Sequence, residues 1–209
     1  MQKVLHIYSS DKNMISLRLV NPALDDNGIR QALMSKLANS SVKPKAIIEE
    51  LRVHNGNAIA DVVAVYKEAH CYEIKGESDS VNRIIKQGAF YDLVFSKVTL
   101  VTTSNHLSLA RTLAPSHWGI VQVTLKGDRF KFIHHRAAKP NRLYNKKLAL
   151  LTLWRCELTE VANEICNENL GKLNRDGLTN LISERIGRTR LMNVISEKLI
   201  ERSTRLRSL

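Results

Sequence analysis

The sequence predicts an α/β protein, a mixed β-sheet flanked by helices with a helical extension behind it. Three observations predict this. Runs rich in β-branched and aromatic residues alternate with helical periodicity up to about residue 136. One run, KVTLVTT, is apolar throughout, as a strand buried on both faces is. After Pro140 every apolar pattern has helical spacing.

The elements follow in order. KVLHIY and MISLRLV, near the start, lean towards strand. DDNGIRQALMSKLANS is helical, with Ile29, Leu33 and Leu37 on one stripe. IIEELRV is a strand that ends at the turn signal HNGN. IADVVAVY and HCYEIK are two more strands. DSVNRIIKQGAFYDLVF is a helix with Asp79 or Ser80 as its N-cap. KVTLVTT returns as a strand, and SNHLSLARTLAP is a short helix stopped by Pro115. WGIVQVTL and RFKFIHH form a hairpin around Lys126-Gly127-Asp128. The tail contains LALLTLWRCELTEVANEI, DGLTNLISERI and RLMNVISEKLIER, each with an apolar stripe. The division expected is a core at 1–136, with an N-terminal extension of about 25 residues, and a basic helical region at 137–209.

Composition narrows the function. A net charge of +12 makes a polyanion the expected partner, nucleic acid ahead of membrane. Cys71, Cys156 and Cys166 lack metal-ligand spacing and read as reduced thiols of a cytoplasmic protein. MQKVLHIYSS has no apolar core of signal-peptide type, and no run reaches membrane-spanning length.

The segment ADVVAVYKEAHCYEIK carries the chemistry. An antiparallel turn centred on Lys67 sets Asp61 opposite Glu73. Opposed residues have Cβ atoms about 4.5–5.5 Å apart, close enough for two carboxylates to share one divalent cation. Lys75 lies on the same face as Glu73, because strand side chains alternate. A plain ion pair at a solvated strand end is the competing reading of the same spacing.

Asp61, eleven intervening residues and Glu73-Ile74-Lys75 resemble the core motif of the PD-(D/E)XK nuclease superfamily. Gln87 and Tyr91 in QGAFY resemble the Q-x-x-x-Y element of its RecB-like members. Asp79, Arg83, Gln87, Tyr91 and VTLV also match the spacing of an uncharacterised bacterial and phage family of nuclease-like proteins. Gly76-Glu77 and Ser80-Val81 depart from that pattern. The resemblance implies a restriction-endonuclease-like sheet and a deoxyribonuclease dependent on Mg²⁺ or Mn²⁺. Asp61, Glu73, the Ile74 carbonyl and Glu50 would hold the metal. Lys75 and Gln87 would assist the attacking water, and Arg83 would contact a phosphate. Tyr91 would pack in the core, its hydroxyl reaching towards the site and its substrate. RNA is an alternative substrate, and a homodimer or larger complex is compatible. The setting would be phage biology, defence or DNA repair. The other reading is a nucleic-acid-binding or accessory protein that keeps the fold without the chemistry.

Residues 125–147 hold eight Lys or Arg against one acid. Lys126, Arg129, Lys131, Arg136, Lys139 and Arg142 are the expected nucleic-acid contacts, with Phe130, Phe132 and Tyr144 interleaved for stacking.

Overall fold

The computed structural model describes residues 5–8, 14–17, 24–166 and 170–208. Leu5–Tyr8 (β1) and Met14–Leu17 (β2) pair antiparallel in a hairpin of their own. Helix α1 spans Asp26–Ala38. Asp25 caps it, accepting the Gly28 N–H at 2.7 Å. Its stripe of Ile29, Leu33 and Leu37 is buried, as the sequence periodicity requires.

The main sheet has six strands in chain order: Ala46–Val53 (β3), Ala58–Val65 (β4), Ala69–Lys75 (β5), Lys97–Thr103 (β6), Gly119–Lys126 (β7) and Arg129–Arg136 (β8). Neighbours β3/β4, β4/β5 and β7/β8 are antiparallel, whereas β5, β6 and β7 run parallel. Parallel neighbours need crossovers. Arg83–Val94 (α2) and Leu107–Leu113 (α3) supply them. The two residues Gly127-Asp128 turn β7 into β8, with Gly127 at φ +59°.

Helix α1 covers one face, where its stripe packs on Val62, Ala64, Ile74, Val101 and Val121. On the other face Tyr91 of α2 and Trp118 join Val63, Cys71, Leu100 and Ile120. The same cluster continues into the tail through Leu150, Leu158, Ile182 and Leu199. These residues belong to Lys146–Leu150 (α4), Arg155–Ile165 (α5), Arg175–Arg185 (α6) and Arg188–Arg207 (α7). The hydrophobic core therefore crosses residue 136 without a break. A buried ion pair fastens α5 to α7: Arg202 donates to both oxygens of Glu157, which is fully buried. The Arg202 guanidinium also donates to the Thr152 carbonyl at 3.0 Å, so both charges are well partnered.

Two boundaries differ from expectation. Helix α2 begins after Asn82, not at Asp79 or Ser80. Asp79 is already used, since its carboxylate accepts the Gly76 N–H at 2.7 Å and closes the turn after β5. The apolar stretch 148–165 is broken between α4 and α5. Trp154 is extended there, and Glu157 reaches back to accept its N–H at 2.7 Å, starting a new helix.

Candidate active site

The β4/β5 ladder runs from Val65–Ala69 to Val62–Tyr72, the register that a turn centred on Lys67 dictates. The next pair in that register would be Asp61 and Glu73, and there the strands part. The Asp61 carboxylate takes the place of the ladder bond, accepting the Ile74 N–H at 2.7 Å. On its other side β4 is interrupted at the same point. Glu49 pairs with Val62 and Leu51 with Ala60, while Glu50, which would face Asp61, sits at φ +49°. The alternation of sides slips by one residue here. Val63 and Val65 join the α2-side core, and so do Ala58 and Ala60. Asp61 lies at the slip.

Glu73 is 1% exposed and Lys75 7%. The Lys75 ammonium donates to Glu73 Oε1 at 2.5 Å, as strand alternation predicts. Among the described residues Glu73 Oε2 is buried without a hydrogen-bond partner, as is Gln87 Oε1 on α2. One turn further along α2, Tyr91 is fully buried and its hydroxyl donates to the Ile59 carbonyl at 2.7 Å. Burial, and then the nearby Glu73 carboxylate, push the Tyr91 hydroxyl pKa up. Burial and Glu73 also push the Asp61 carboxyl up to about 8, against the opposing pull of the Ile74 N–H and Lys75. Two carboxyls therefore share a desolvated spot, and one holds its proton near neutrality.

Mg²⁺ takes one or two carboxylates and keeps several waters. Asp61 and Glu73 could supply two, and the orphaned Glu73 Oε2 is the kind of atom such an ion satisfies. The third acid stands apart. Arg30 of α1 donates to Glu50 at 2.8 Å and also to Asp26, and the Glu50 side chain is 65% exposed. The left-handed backbone at Glu50 turns it outward, towards α1. Among the described residues no group of three or more His, Cys, Asp or Glu is arranged to hold a metal ion.

Arg30 and Asp26 border the site although sequence reasoning did not select them. Asp61 feels both charges. Their i,i+4 spacing was a visible signal, but nothing in it pointed to a partner on β3. Gly76 explains a departure from the resemblance. A Cβ there would lie 2.9 Å from the Leu24 carbonyl and 3.0 Å from the Asp26 N, so only glycine lets the start of α1 approach the end of β5.

The expected nucleic-acid contacts separate into two groups. Arg83, Lys126, Arg129, Lys131, Lys139 and Arg142 are exposed. Register places Lys126 opposite Arg129, on the side of the sheet that Lys131 shares. Arg136 does not belong with them. Its guanidinium donates to the Trp118, Ala114 and Pro115 carbonyls and closes the end of α3. Tyr91 is also withdrawn from any nucleic-acid surface, being fully buried beside Trp118. The stacking aromatics are occupied too. Phe130 and Phe132 turn towards the α1-side core, where Lys36 sits over Phe132, and Arg188 covers Tyr144.

The arrangement defines a class: a mixed α/β protein with a helix-flanked six-stranded sheet and a helical C-terminal region. Its polar residues gather where the central hairpin opens. The chain belongs to the family described as Bacteriophage P4 protein cII, whose model matches residues 21–208. It is 26% identical over 162 residues to the protein cII of Enterobacteria phage P4, a match covering 77% of this chain and 61% of that protein. The chain thus spans less than two thirds of that relative's length. A solved structure of a protein of unknown function from Silicibacter pomeroyi is similar with a TM-score of 0.42, at 18% identity, over 61% of this chain and 77% of that one. Among the described residues no helix is long and apolar enough to cross a membrane.

Proposed function

We propose that the chain is a metal-dependent nuclease hydrolysing DNA phosphodiester bonds, on a restriction-endonuclease-like sheet, in a bacteriophage setting. One observation carries this reading. Glu73 is buried with Lys75 on one oxygen and, among the described residues, no hydrogen bond on the other, near the Tyr91 hydroxyl and directly beyond the point where Asp61 replaces the β4/β5 ladder. Asp61 and Glu73 would hold Mg²⁺ or Mn²⁺, with the Ile74 carbonyl as a backbone ligand and Glu50 acting through water once released from Arg30. When bound, the ion supplies Lewis-acid polarisation of the phosphate and a lowered pKa for a bound water. Lys75 would orient the attacking water and offset the charge growing on the phosphate. Gln87 offers its unpartnered oxygen to the same water, and the exposed Arg83 anchors a neighbouring phosphate.

The burial of Glu73 and Lys75 favours one competing reading, a nucleic-acid-binding protein that keeps the fold but not the reaction. Cleavage separates the two. Linear, supercoiled and single-stranded DNA are incubated with Mg²⁺, Mn²⁺ or EDTA. Lys75→Ala is expected to cut at least about a hundredfold more slowly than the parent while keeping its circular dichroism. Equal cutting in EDTA, or full activity of Lys75→Ala, would overturn the nuclease reading.

A further inference from the structure

A cleft of about 450 Å³ lies between the free edge of β3 and the tail, within the size range of small-ligand sites. Its walls carry unequal charges. Glu49 and Glu50 line it: Glu50 is held by Arg30, and Glu49, met at 3.5 Å by the neutral Gln31 amide, keeps its charge at that side of the cleft. Two guanidinium groups on the wall have no carboxylate partner among the described residues. Among the described residues Arg175 donates to Asn55 Oδ1 and to the Leu151 and Leu153 carbonyls, and its buried Nε has no partner. The Arg52 side chain is exposed and makes no ion pair or hydrogen bond among the described residues. The wall also holds an indole. Trp154 is 47% exposed, with the Arg202 guanidinium stacked on its ring 4.4 Å from the centroid. Arg202 is itself 5% exposed and locked by Glu157, so the indole is braced from behind. Leu206, 56% exposed, completes an apolar side.

A flat ring beside uncompensated guanidinium groups matches a nucleotide: a base to stack and a phosphate to pair. The cleft also opens beside the candidate active site, because Glu49 and Leu51 on its wall pair with Val62 and Ala60, the two residues that flank Asp61. We propose that this cleft holds one unpaired nucleotide of the strand presented to Asp61, Glu73 and Lys75, its base on Trp154 and its phosphate against Arg175 and Arg52. The inference rests on the reading that nucleic acid is the substrate, but it does not depend on cleavage.

The test is binding in EDTA, where no metal-dependent reaction proceeds. The chain has two tryptophans, and Trp118 is fully buried, so emission quenching reports on Trp154. A short single-stranded oligodeoxynucleotide is expected to quench it saturably. Anisotropy of a labelled copy of that oligonucleotide should show about tenfold weaker binding to Trp154→Ala, with recovery in Trp154→Phe, since stacking on one base is worth roughly 1–3 kcal/mol. Arg52→Ala, which takes no hydrogen bond or ion pair from the fold, should weaken the oligonucleotide likewise. Equal affinity of all these proteins would overturn the site. Deoxyadenosine monophosphate binding as tightly as the oligonucleotide would overturn the strand in favour of a free nucleotide. A blunt duplex binding with the same dependence on Trp154 would overturn the unpaired-nucleotide assignment. Binding that follows Trp154 and Arg52 in a protein that cuts no DNA with Mn²⁺ would support the cleft and refute the nuclease.

Discussion

At Asp61, burial and neighbouring charge both act on one proton. Burial and Glu73 raise its carboxyl pKa to about 8, well above the value of 3.8 it has when unfolded. The folded chain therefore binds the proton more tightly than the unfolded one. Its contribution to stability is complete below about pH 4 and is lost as pH rises through about 8. His70 acts in the opposite sense. Burial, and then Lys97, hold its pKa down at about 4, so its contribution disappears as pH falls from 6.5 towards 4. Subtracting the Asp61→Asn melting profile from the parent's isolates Asp61, and the difference should fall steadily from pH 4 to pH 8. Divalent metal competes with the same proton. Mn²⁺ should stabilise the parent by about 2.7 kcal/mol at a hundredfold excess over its dissociation constant, and at a fixed concentration should raise its melting temperature more at pH 8 than at pH 6. The rise should disappear in Asp61→Asn. An equal metal shift in both proteins would remove Asp61 from the ligand set.

Elements place these residues, and the junction of β5 with α1 is the tightest of the placements. Gly76 lies against backbone atoms, which cannot swing aside as a flexible side chain can. Gly76→Ser, the residue expected there from the resemblance, should destabilise the fold by about 1–3 kcal/mol through overpacking. It should also move Asp26 and Arg30 and so loosen the hold on Glu50; chemical denaturation and the Mn²⁺ melt read the two effects separately. An unchanged denaturation midpoint would mean that α1 can retreat at no cost. The same junction marks where the sequence was legible. The β4/β5 register was readable because turn position and side alternation fix it together. The pairing of Glu73 with Lys75 followed from period two. The outward turn of Glu50 to Arg30 was not legible, because a glutamate gives no sign of φ +49°. The start of α2 was misread because Asp79 suits a helix cap and a turn equally well. The break before α5 was hidden in an unbroken apolar stripe, and the glutamate that marks it lies three residues into the new helix. Arg136 looked like any other cation of a basic run, since sequence carries no trace of the three carbonyls it meets.

For the molecule as a whole, the 32 Lys and Arg behind the net charge of +12 divide between those that hold the fold and those left to meet a polyanion. Arg136 and Arg202 are structural, each tied to carbonyls or to a buried acid. Lys126, Arg129 and Lys131 lie in the open on the outermost hairpin, on one side of the sheet. The two groups should respond differently to substitution. Neutralising Lys126, Arg129 and Lys131 together should leave the melting temperature almost unchanged, as surface charges contribute little to stability. It should weaken DNA binding regardless of sequence and flatten the slope of log affinity against log salt by about 2.7, at about 0.9 for each duplex phosphate that no longer meets a cation. Arg136→Ala should do the reverse. It strips the donor from three carbonyls at the end of α3, so stability should fall by about 1–3 kcal/mol while the salt slope keeps its value. Titrations at several salt concentrations, with thermal melts of the same preparations, measure both quantities. If the triple variant keeps the parent's slope, the duplex does not run along the β7–β8 hairpin, and the exposed cations on other elements, Arg83 and Arg142 first, become the ones to neutralise next.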